Sequence, residues 1–324
     1  MYDTLYKTLQ DSGMEEAIRS KVDGSRICIA SRYRPNRNIN SIYAVLGFSI
    51  GSLFEMCGAK VDYHFVPRKG VQPLDSSYDH CFLCYYDTDV MVREIAPLMK
   101  SIKAKCKRRY YYTNLIPASS IFDAYFLSRK AYLNLSNPYY KNGQYNSPRQ
   151  RLLSRSYFVG RGADTELLYP NQDEFTVLVD GSRGPTDAPT IKMSLDIIES
   201  LTKRGYKVDF LGFNRAGKAR PKEKFTDVVE VYKRAHVYIS GISGLYELPV
   251  IETQACGAHV VSMKNRLHTD LMNPSTSHHY SKINDHAFEM LEHLKENFDP
   301  NPARNFVLNG FRWVDVIGRM LPHM

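Results

Sequence analysis

Tryptophan, cysteine and long uncharged stretches are all scarce in this sequence. Its 324 residues include one Trp and six Cys. The longest stretch without a charged side chain, residues 38–54, contains Asn, Ser and Gly and is too short to cross a bilayer as a helix. The amino-terminal residues have no cationic segment followed by an apolar one, so no signal peptide is predicted. We therefore expect a cytoplasmic chain that is soluble or bound peripherally to a membrane.

The cysteines and histidines do not form a pattern typical of metal or redox sites. Several cysteines lie inside apolar stretches such as residues 26–30, which is typical of reduced thiols in a protein core. Cys81 and Cys84 are spaced as CxxC, but they stand in a strand-like stretch and no second pair completes a zinc site. His278 and His279 are adjacent and have no third ligand nearby in sequence. We predict no metal site from these residues.

The composition is that of a globular protein with an excess of positive charge. Apolar residues make up 43% and charged residues 24% of the chain, which is enough to build a core. Lys and Arg total 43 against 34 Asp and Glu, a formal charge of +9. This charge favours an anionic partner, which leaves nucleic acid, a membrane surface and a phosphorylated small molecule open. The 23 Tyr side chains suit half-buried sheet edges and clefts.

Strand-like and helix-like segments alternate along the chain in two series. Strand patterns occupy 26–31, 60–66, 80–86, 109–115 and 156–159, and then 175–180, 208–212, 237–240 and 258–263. Helical patterns lie at 41–57, 88–104, 190–204, 228–235 and 248–256. This alternation predicts parallel sheets covered by helices on both faces. At about 150 residues per domain the length predicts two domains, and we place the linker at 165–174.

Two stretches carry candidate binding chemistry, and each follows a predicted strand. In the first, residues 179–184 read Val-Asp-Gly-Ser-Arg-Gly and Lys192 follows in the next helix. Backbone amides at a helix start attract anions, so Arg183 and Lys192 are candidates to clamp a diphosphate. A plain strand-to-helix turn with solvated cations is the alternative.

The second stretch, residues 240–261, is a small-residue loop followed by a helix that begins near Leu248 or Pro249. We expect Glu252 in the first turn of that helix. A carboxylate there can accept two hydrogen bonds from ribose hydroxyls, as in dinucleotide sites. The alternative is that Glu252 only complements the helix dipole.

The second stretch resembles the donor-site signature of glycosyltransferase family 4. The family pattern is E-G-F-G-L-P-x-x-E-A-x-A-x-G-x-P-V-V, and the matching positions here are Leu248-Pro-Val-Ile-Glu252, Ala255, Gly257 and Val260-Val261. Residues 160–170 resemble the family's G-x-D-x-x-x-F-x-P linker, with Asp164 and Pro170 in place. Gly181, Arg183 and Lys192 resemble its phosphate clamp, and residues 311–317 resemble its closing helix with a Trp.

This resemblance implies an α/β chain of GT-B fold, with two Rossmann-like doubly wound parallel-sheet domains facing a cleft. Residues 1–165 would form the acceptor-binding domain and residues 166–304 the donor-binding domain. The carboxyl-terminal helix, about 305–324, would pack back on the first domain. A chlorella-virus-type member of the family is the finer expectation.

The resemblance also implies a retaining glycosyltransferase that uses a nucleotide-diphosphate sugar without a metal or cofactor. GDP-mannose is the expected donor, a glycan or glycoprotein the acceptor, and nucleic acid is not expected as a partner. Arg183 and Lys192 would act as catalytic residues by neutralising the leaving diphosphate. The implied donor-binding residues are Gly181, Ser182, Gly244, Leu245, Tyr246, Glu247, Leu248 and Glu252. The implied acceptor-binding residues are Arg32, Arg34 and Asn36, and the acceptor is expected near residues 32–38 and the end of helix 41–57.

Three alternatives stay open. The family's first acidic residue contacts the donor sugar, but the corresponding position here is Gly244, and Glu247 is three positions away. The missing carboxylate leaves open a nucleotide-sugar binding protein without transfer activity. Asp87 and Asp89 form a D-x-D at a strand end, as in metal-dependent GT-A glycosyltransferases, and also fit helix capping. Residues 103–109 hold five cations before three tyrosines, a pattern that binds single-stranded nucleic acid or ends a helix.

Overall fold

The computed structural model of the chain describes residues 2–31, 42–67, 70–85, 94–113, 121–128, 132, 152–180, 188–211, 225–239, 247–263, 271–280 and 285–324. The chain divides into two units, one of Met1–Arg161 with Trp313–Met324 and the other of Gly162–Arg312. The division after Arg161 falls just before the boundary placed after residue 165 from the sequence. Each unit is built on one parallel sheet.

Helices and strands alternate through most of the described chain. The helices are α1 (Tyr2–Ser12), α2 (Glu15–Val22), α3 (Ile42–Met56), α4 (Ala96–Lys105), α5 (Ala188–Lys203), α6 (Phe225–Arg234), α7 (Glu247–Ala255), α8 (Asp285–Asn297), α9 (Asn301–Leu308) and α10 (Trp313–Met320). The strands are β1 (Arg26–Ser31), β2 (Lys60–Phe65), β3 (Tyr78–Cys84), β4 (Cys106–Thr113), β5 (Ala124–Leu127), β6 (Ser156–Phe158), β7 (Thr176–Asp180), β8 (Lys207–Leu211), β9 (Val237–Ile239), β10 (His259–Met263) and β11 (Ser277–Tyr280).

The first sheet has six parallel strands in the order β2-β1-β3-β4-β5-β6. Its core is unusually aromatic, because Tyr110, Tyr111 and Tyr112 are each at most 2% exposed. The ring centroid of Tyr110 lies 4.6 Å from that of Phe82 and 5.7 Å from that of Phe126. These tyrosines therefore belong to the interior rather than to half-buried edges or clefts.

Helix α3 explains the long uncharged stretch of the sequence. It packs on β1 and β2 and is covered by α1 and α10, so nearly all of its faces are apolar. The chain turns away after it at Gly58, which has a φ of 95° and where a β-carbon would overlap Oδ1 of Asp23. The amide of Gly24 donates to the carbonyl of Gly58 at 3.1 Å, which places the end of α3 beside the amino end of β1.

The second sheet has five parallel strands in the order β11-β10-β9-β7-β8. Strands β7 and β9 are neighbours in the sheet although β8 lies between them in sequence, with Val177 opposite Val237 and Val179 opposite Ile239. Apolar residues of β7, β9 and β10 form its core with side chains from α5 and α8. The order is doubly wound, so the sheet has one point at which the strand order reverses, between β7 and β9.

The carboxyl-terminal region differs from the single helix expected over about 305–324. It consists of α9, α10 and a short 3-10 turn, Leu321–His323, and the division between the units falls between the two helices. Helix α9 packs on α7 in the second unit, whereas α10 packs on α1 and α3 in the first. Trp313 begins α10 and is 1% exposed.

The six cysteines are all buried and none is in a disulfide, as the apolar stretches around them predict. Among the helices that the structure describes, none has the length and apolar character needed to cross a membrane.

Candidate functional site

The reversal point of the second sheet brings the two predicted donor stretches to adjacent strands. In open parallel sheets, ligands bind at the carboxyl ends of the strands where the strand order reverses. Here those strands are β7 and β9. Strand β7 ends at Asp180, and the next described element is α5. Strand β9 ends at Ile239, and the next described element is α7. Both predicted stretches thus begin at the edge where a ligand is expected.

The predicted donor residues are only partly within the described chain. Lys192 lies in the second turn of α5, and Glu247 is the first residue of α7. Leu248 and Glu252 are described with their side chains, and both are buried. The remaining predicted donor residues, Gly181, Ser182, Arg183, Gly244, Leu245 and Tyr246, lie outside the described residues.

Glu252 is a carboxylate buried in the second unit. Because α7 begins at Glu247, Glu252 lies in its second turn and not in the first as expected from the sequence. It is 4% exposed, and its neighbours Val250 and Ile251 are fully buried. The helix-dipole effect falls off beyond the first turn, so the dipole alone does not account for this carboxylate. Glutamate is almost never buried without a specific partner, and Glu252 does interact with other groups of the chain.

The end of α7 has a conformation that only glycine adopts without strain. Gly257 has a φ of 84°, and the amide of Ala258 donates to the carbonyl of Thr253 at 3.0 Å. This is a Schellman end, which satisfies carbonyls that the helix leaves open. The glycine of the matched pattern therefore has a structural reason, namely the sharp stop of α7 before β10.

Side chains of α7 also tie it to the segment that follows β10. Gln254 donates from Nε2 to the carbonyl of Leu271 at 2.8 Å and accepts from the amide of Asn273 through Oε1 at 2.8 Å.

Burial raises the pKa of the Cys256 thiol well above its usual range, and the charge of Glu252 adds to that shift. Cys256 is therefore a neutral core thiol rather than a nucleophile.

Arg304 is a residue of this region that sequence reasoning missed. Its Nη1 donates to the carbonyls of Leu168 at 2.7 Å and Ala255 at 2.6 Å, and its Nη2 to the carbonyl of Thr165 at 3.0 Å. Burial lowers the pKa of this guanidinium. No sequence pattern marks it, because its partners are main-chain groups from distant segments.

Asp164 forms a turn in residues 160–170, the segment that resembles the family's linker. This residue is 5% exposed, its carbonyl accepts from the amide of Leu168 at 2.8 Å, and its Oδ1 accepts from the amide of Leu167 at 3.2 Å. These bonds close a turn, which gives the aspartate of the resemblance a structural role.

The first unit has the same arrangement at its own reversal point. Strands β1 and β3 are neighbours, and Ser31 lies opposite Cys84 at their carboxyl ends. The predicted acceptor residues Arg32, Arg34 and Asn36 follow β1, and Asp87 and Asp89 follow β3; all five lie outside the described residues. The acceptor is also expected near the end of helix 41–57; the end of α3 lies beside the amino end of β1, at the opposite end of that strand from Ser31.

The basic cluster at 103–109 is not a stacking platform. Lys107 is paired with Asp79 at 2.7 Å, and Arg109 with Asp123 at 2.8 Å. The three tyrosines that follow are buried in the core, so their faces cannot stack on bases. The cluster is the end of α4 running into β4, as its helix-end interpretation predicts.

Within the described ranges, no three His, Cys, Asp or Glu side chains come together as a metal site. His279 is instead within 2.9 Å of the hydroxyl of Ser262 through Nδ1.

No protein-family model and no curated protein matches the chain, but solved structures do. It is similar to sucrose-phosphate synthase from Thermosynechococcus elongatus, at 14% identity and a TM-score of 0.58 over 91% of this chain and 97% of that one. It is similar to a glycosyltransferase from Rickettsia africae ESF-5, at 9% identity and a TM-score of 0.59 over 92% and 97%. An α-glucosyltransferase in complex with UDP and a 13-mer DNA containing a HMU base gives 10% identity and a TM-score of 0.54 over 88% and 94%. At such identities the similarity establishes the fold, which is GT-B, an α/β architecture with two doubly wound parallel sheets.

Proposed function

We propose that the chain is a retaining glycosyltransferase that moves a sugar from a nucleotide-diphosphate sugar to a glycan or glycoprotein, without a metal ion. Membership of glycosyltransferase family 4, of the chlorella-virus type, and GDP-mannose as the donor belong to the same proposal. The observation that carries it is the placement of both donor stretches directly after β7 and β9, the strands at the reversal point of the second sheet.

The residues of the second unit would divide the work of binding and charge stabilisation. Arg183 and Lys192 neutralise the diphosphate as negative charge builds on it when the bond to the sugar breaks. Amides of residues 244–248 hold the phosphate and sugar, and Glu252 accepts hydrogen bonds from the ribose. The bond to the sugar breaks with its electron pair on the diphosphate and leaves an oxocarbenium-like sugar. An acceptor hydroxyl adds to the anomeric carbon on the face that the diphosphate leaves, and its proton passes to an oxygen of the departing diphosphate.

The identity of the base is the first quantity to measure. GDP is expected from the family resemblance, whereas the α-glucosyltransferase of similar fold is in complex with UDP. Calorimetric titration with GDP, UDP and ADP, each in the presence of EDTA, is expected to reveal one nucleotide that binds. Binding that disappears with EDTA would favour the metal-dependent alternative at Asp87 and Asp89. A chain that binds none of the three would refute the proposal.

Transfer is tested separately from binding. With the matching sugar nucleotide, we expect slow hydrolysis even without an acceptor, and proton NMR of the first product should show the anomeric configuration of the donor. Inverted product would contradict the retaining mechanism. Binding with neither hydrolysis nor transfer would favour the second candidate, a nucleotide-sugar binding protein, which the glycine at position 244 supports.

The acceptor would bind on the first unit, at the segment that follows β1. Arg34→Ala is expected to weaken acceptor binding and to leave nucleotide affinity unchanged, because Arg34 would touch only the acceptor. Equal loss of nucleotide affinity would place Arg34 at the donor instead.

A further inference from the structure

Arg304 lies in α9, and its guanidinium donates hydrogen bonds to main-chain carbonyls. Three such carbonyls accept from it at 2.6–3.0 Å, those of Ala255, Leu168 and Thr165. Arginine keeps its charge even when burial lowers its pKa, so these are charge-assisted bonds, about twice as strong as neutral ones. Such a group fixes the three segments it joins.

One of these segments is the end of the helix that carries Glu252. Ala255 is the last residue of α7, and carbonyls at a helix end lack partners within the helix. A cation at that end is favoured by the helix dipole. Gln172 donates from Nε2 to the next carbonyl, that of Cys256, at 3.2 Å. Two side chains from outside α7 therefore hold its carboxyl-terminal end.

The position of this end determines the position of Glu252. Glu252 is one turn before Ala255 on the same helix, and a helix moves as a stiff rod over one turn. The charges of Glu252 and Arg304 also act on one thiol: the carboxylate raises the pKa of Cys256 and the guanidinium lowers it. Helix α9, which carries Arg304, packs on α7, which carries Glu252.

We propose that Arg304 is a positioning residue for Glu252. Arg304 holds the end of α7 against Thr165 and Leu168. It thereby fixes the position from which the carboxylate of Glu252 accepts hydrogen bonds from the ribose hydroxyls of a nucleoside diphosphate. The inference rests on the proposed function, and Arg304 itself does not touch the nucleotide.

The test measures how well the protein recognises the ribose. The probes are UDP and GDP and their 2′,3′-dideoxy counterparts, and the quantity is the ratio of the two dissociation constants for each base. In the unchanged chain the dideoxy form is expected to bind about tenfold more weakly. In Arg304→Met the ratio is expected to fall to about one, and in Arg304→Lys to an intermediate value, because one ammonium cannot reach all three carbonyls.

A matched control separates positioning from general stability. Arg204 lies in the same unit with its guanidinium 3.9 Å from the ring centroid of Phe288, and Arg204→Met should leave the ratio unchanged. A purely structural role for Arg304 would lower the melting temperature of Arg304→Met and leave the ratio as it was, which would overturn the inference. So would a ratio near one in the unchanged chain. Failure of UDP, GDP and ADP alike to bind the unchanged chain would overturn the proposed function as well.

If Arg304→Met does not fold, hydrogen exchange on the unchanged chain decides the question. The ribonucleotide should slow amide exchange in residues 165–172 and 301–308 more than its dideoxy counterpart does. Equal protection by the two would overturn the inference.

Discussion

Gly257 and Pro300 lie in direct contact at the end of α7: a β-carbon on Gly257 would overlap Cβ of Pro300 and stand 3.1 Å from its Cα. The same glycine has a φ of 84°, in the left-handed region. Conformation and space therefore both require glycine at this position.

Replacing Gly257 should destabilise the protein by two additive causes. We expect Gly257→Ala to lower the free energy of unfolding by about 2–4 kcal/mol, from the left-handed conformation and from overpacking. Gly205 is the control, since it has a φ of 81° and no atom within 4 Å of the place that a β-carbon would take. Gly205→Ala should cost only about 1–2 kcal/mol. Urea unfolding followed by circular dichroism measures both, and equal losses would contradict the packing argument.

Acid should weaken the second unit through three histidines. The ring centroids of His236 and His259 lie 4.7 Å and 5.3 Å from that of Phe298, and His278 stacks on His259 at 6.2 Å. Burial lowers the pKa of all three, that of His278 to about 4, and the charges of His259 and His279 add to the shift at His278.

The sign of this effect follows from the unfolded chain, in which histidine titrates at about 6.5. Below that pH the unfolded state binds protons that the folded state does not, so stability present above about pH 6.5 is lost as pH falls toward 4. After solvent screening we expect His278 to contribute on the order of 1–2 kcal/mol to this loss. The urea midpoint is measured at pH 6.5 and at pH 4, and the difference between the two should be smaller in His278→Phe than in the unchanged chain. His293 lies on the exposed side of α8, so His293→Phe should show the same difference as the unchanged chain.

The diphosphate clamp is testable by removing one cation at a time. Arg183→Ala and Lys192→Ala are each expected to weaken nucleoside diphosphate binding about tenfold or more, because a charge-assisted hydrogen bond is lost. Lys203 is the matched control: it lies at the other end of α5 and pairs with Glu199 at 2.6 Å on the surface. Lys203→Ala should leave the affinity unchanged. Calorimetry measures all three, and unchanged affinity in Arg183→Ala would refute its assignment.

Thiol reagents should distinguish Cys106 from the other cysteines. It is 7% exposed, and a hydrogen bond from Cys81 and the charge of Arg109 lower its pKa. Burial instead raises the pKa of Cys57 to about 11 and that of Cys84 to about 12. Because the thiolate is the reacting species, mass spectrometry should find the first label on Cys106. Cys106→Ser should remove that label, and an early label on Cys57 would contradict the prediction.

Nine of the eleven described strands were predictable from the sequence, the three-residue β6 and β9 among them, whereas β5 and β11 were not. Residues 27–30 of β1 and 81–84 of β3 are buried, and these residues are apolar without interruption. β5 has only four residues, and β11 reads Ser-His-His-Tyr. Both exist because a neighbouring strand offers hydrogen bonds, which a local pattern does not record. The amino-terminal helices were missed for a similar reason: α1 is mostly polar and is held through a few buried residues such as Leu5 and Leu9.

The candidate site divides in the same way. Glu252 and Gly257 were found because their spacing is fixed within one helix and its end. The burial of Glu252 was not predicted, because burial depends on the elements packed around α7. Arg304 is joined to residues 49 to 139 positions away, and such contacts are decided only when the unit folds.

Trp313 gives this protein a reporter that needs no label. It is the sole indole of the chain, 1% exposed, and belongs to the first unit, whereas the candidate donor residues belong to the second. Selective excitation of tryptophan therefore observes one unit, while the nucleotide is added to the other. A change in its emission on titration with nucleotide would be a direct optical signal of communication between them.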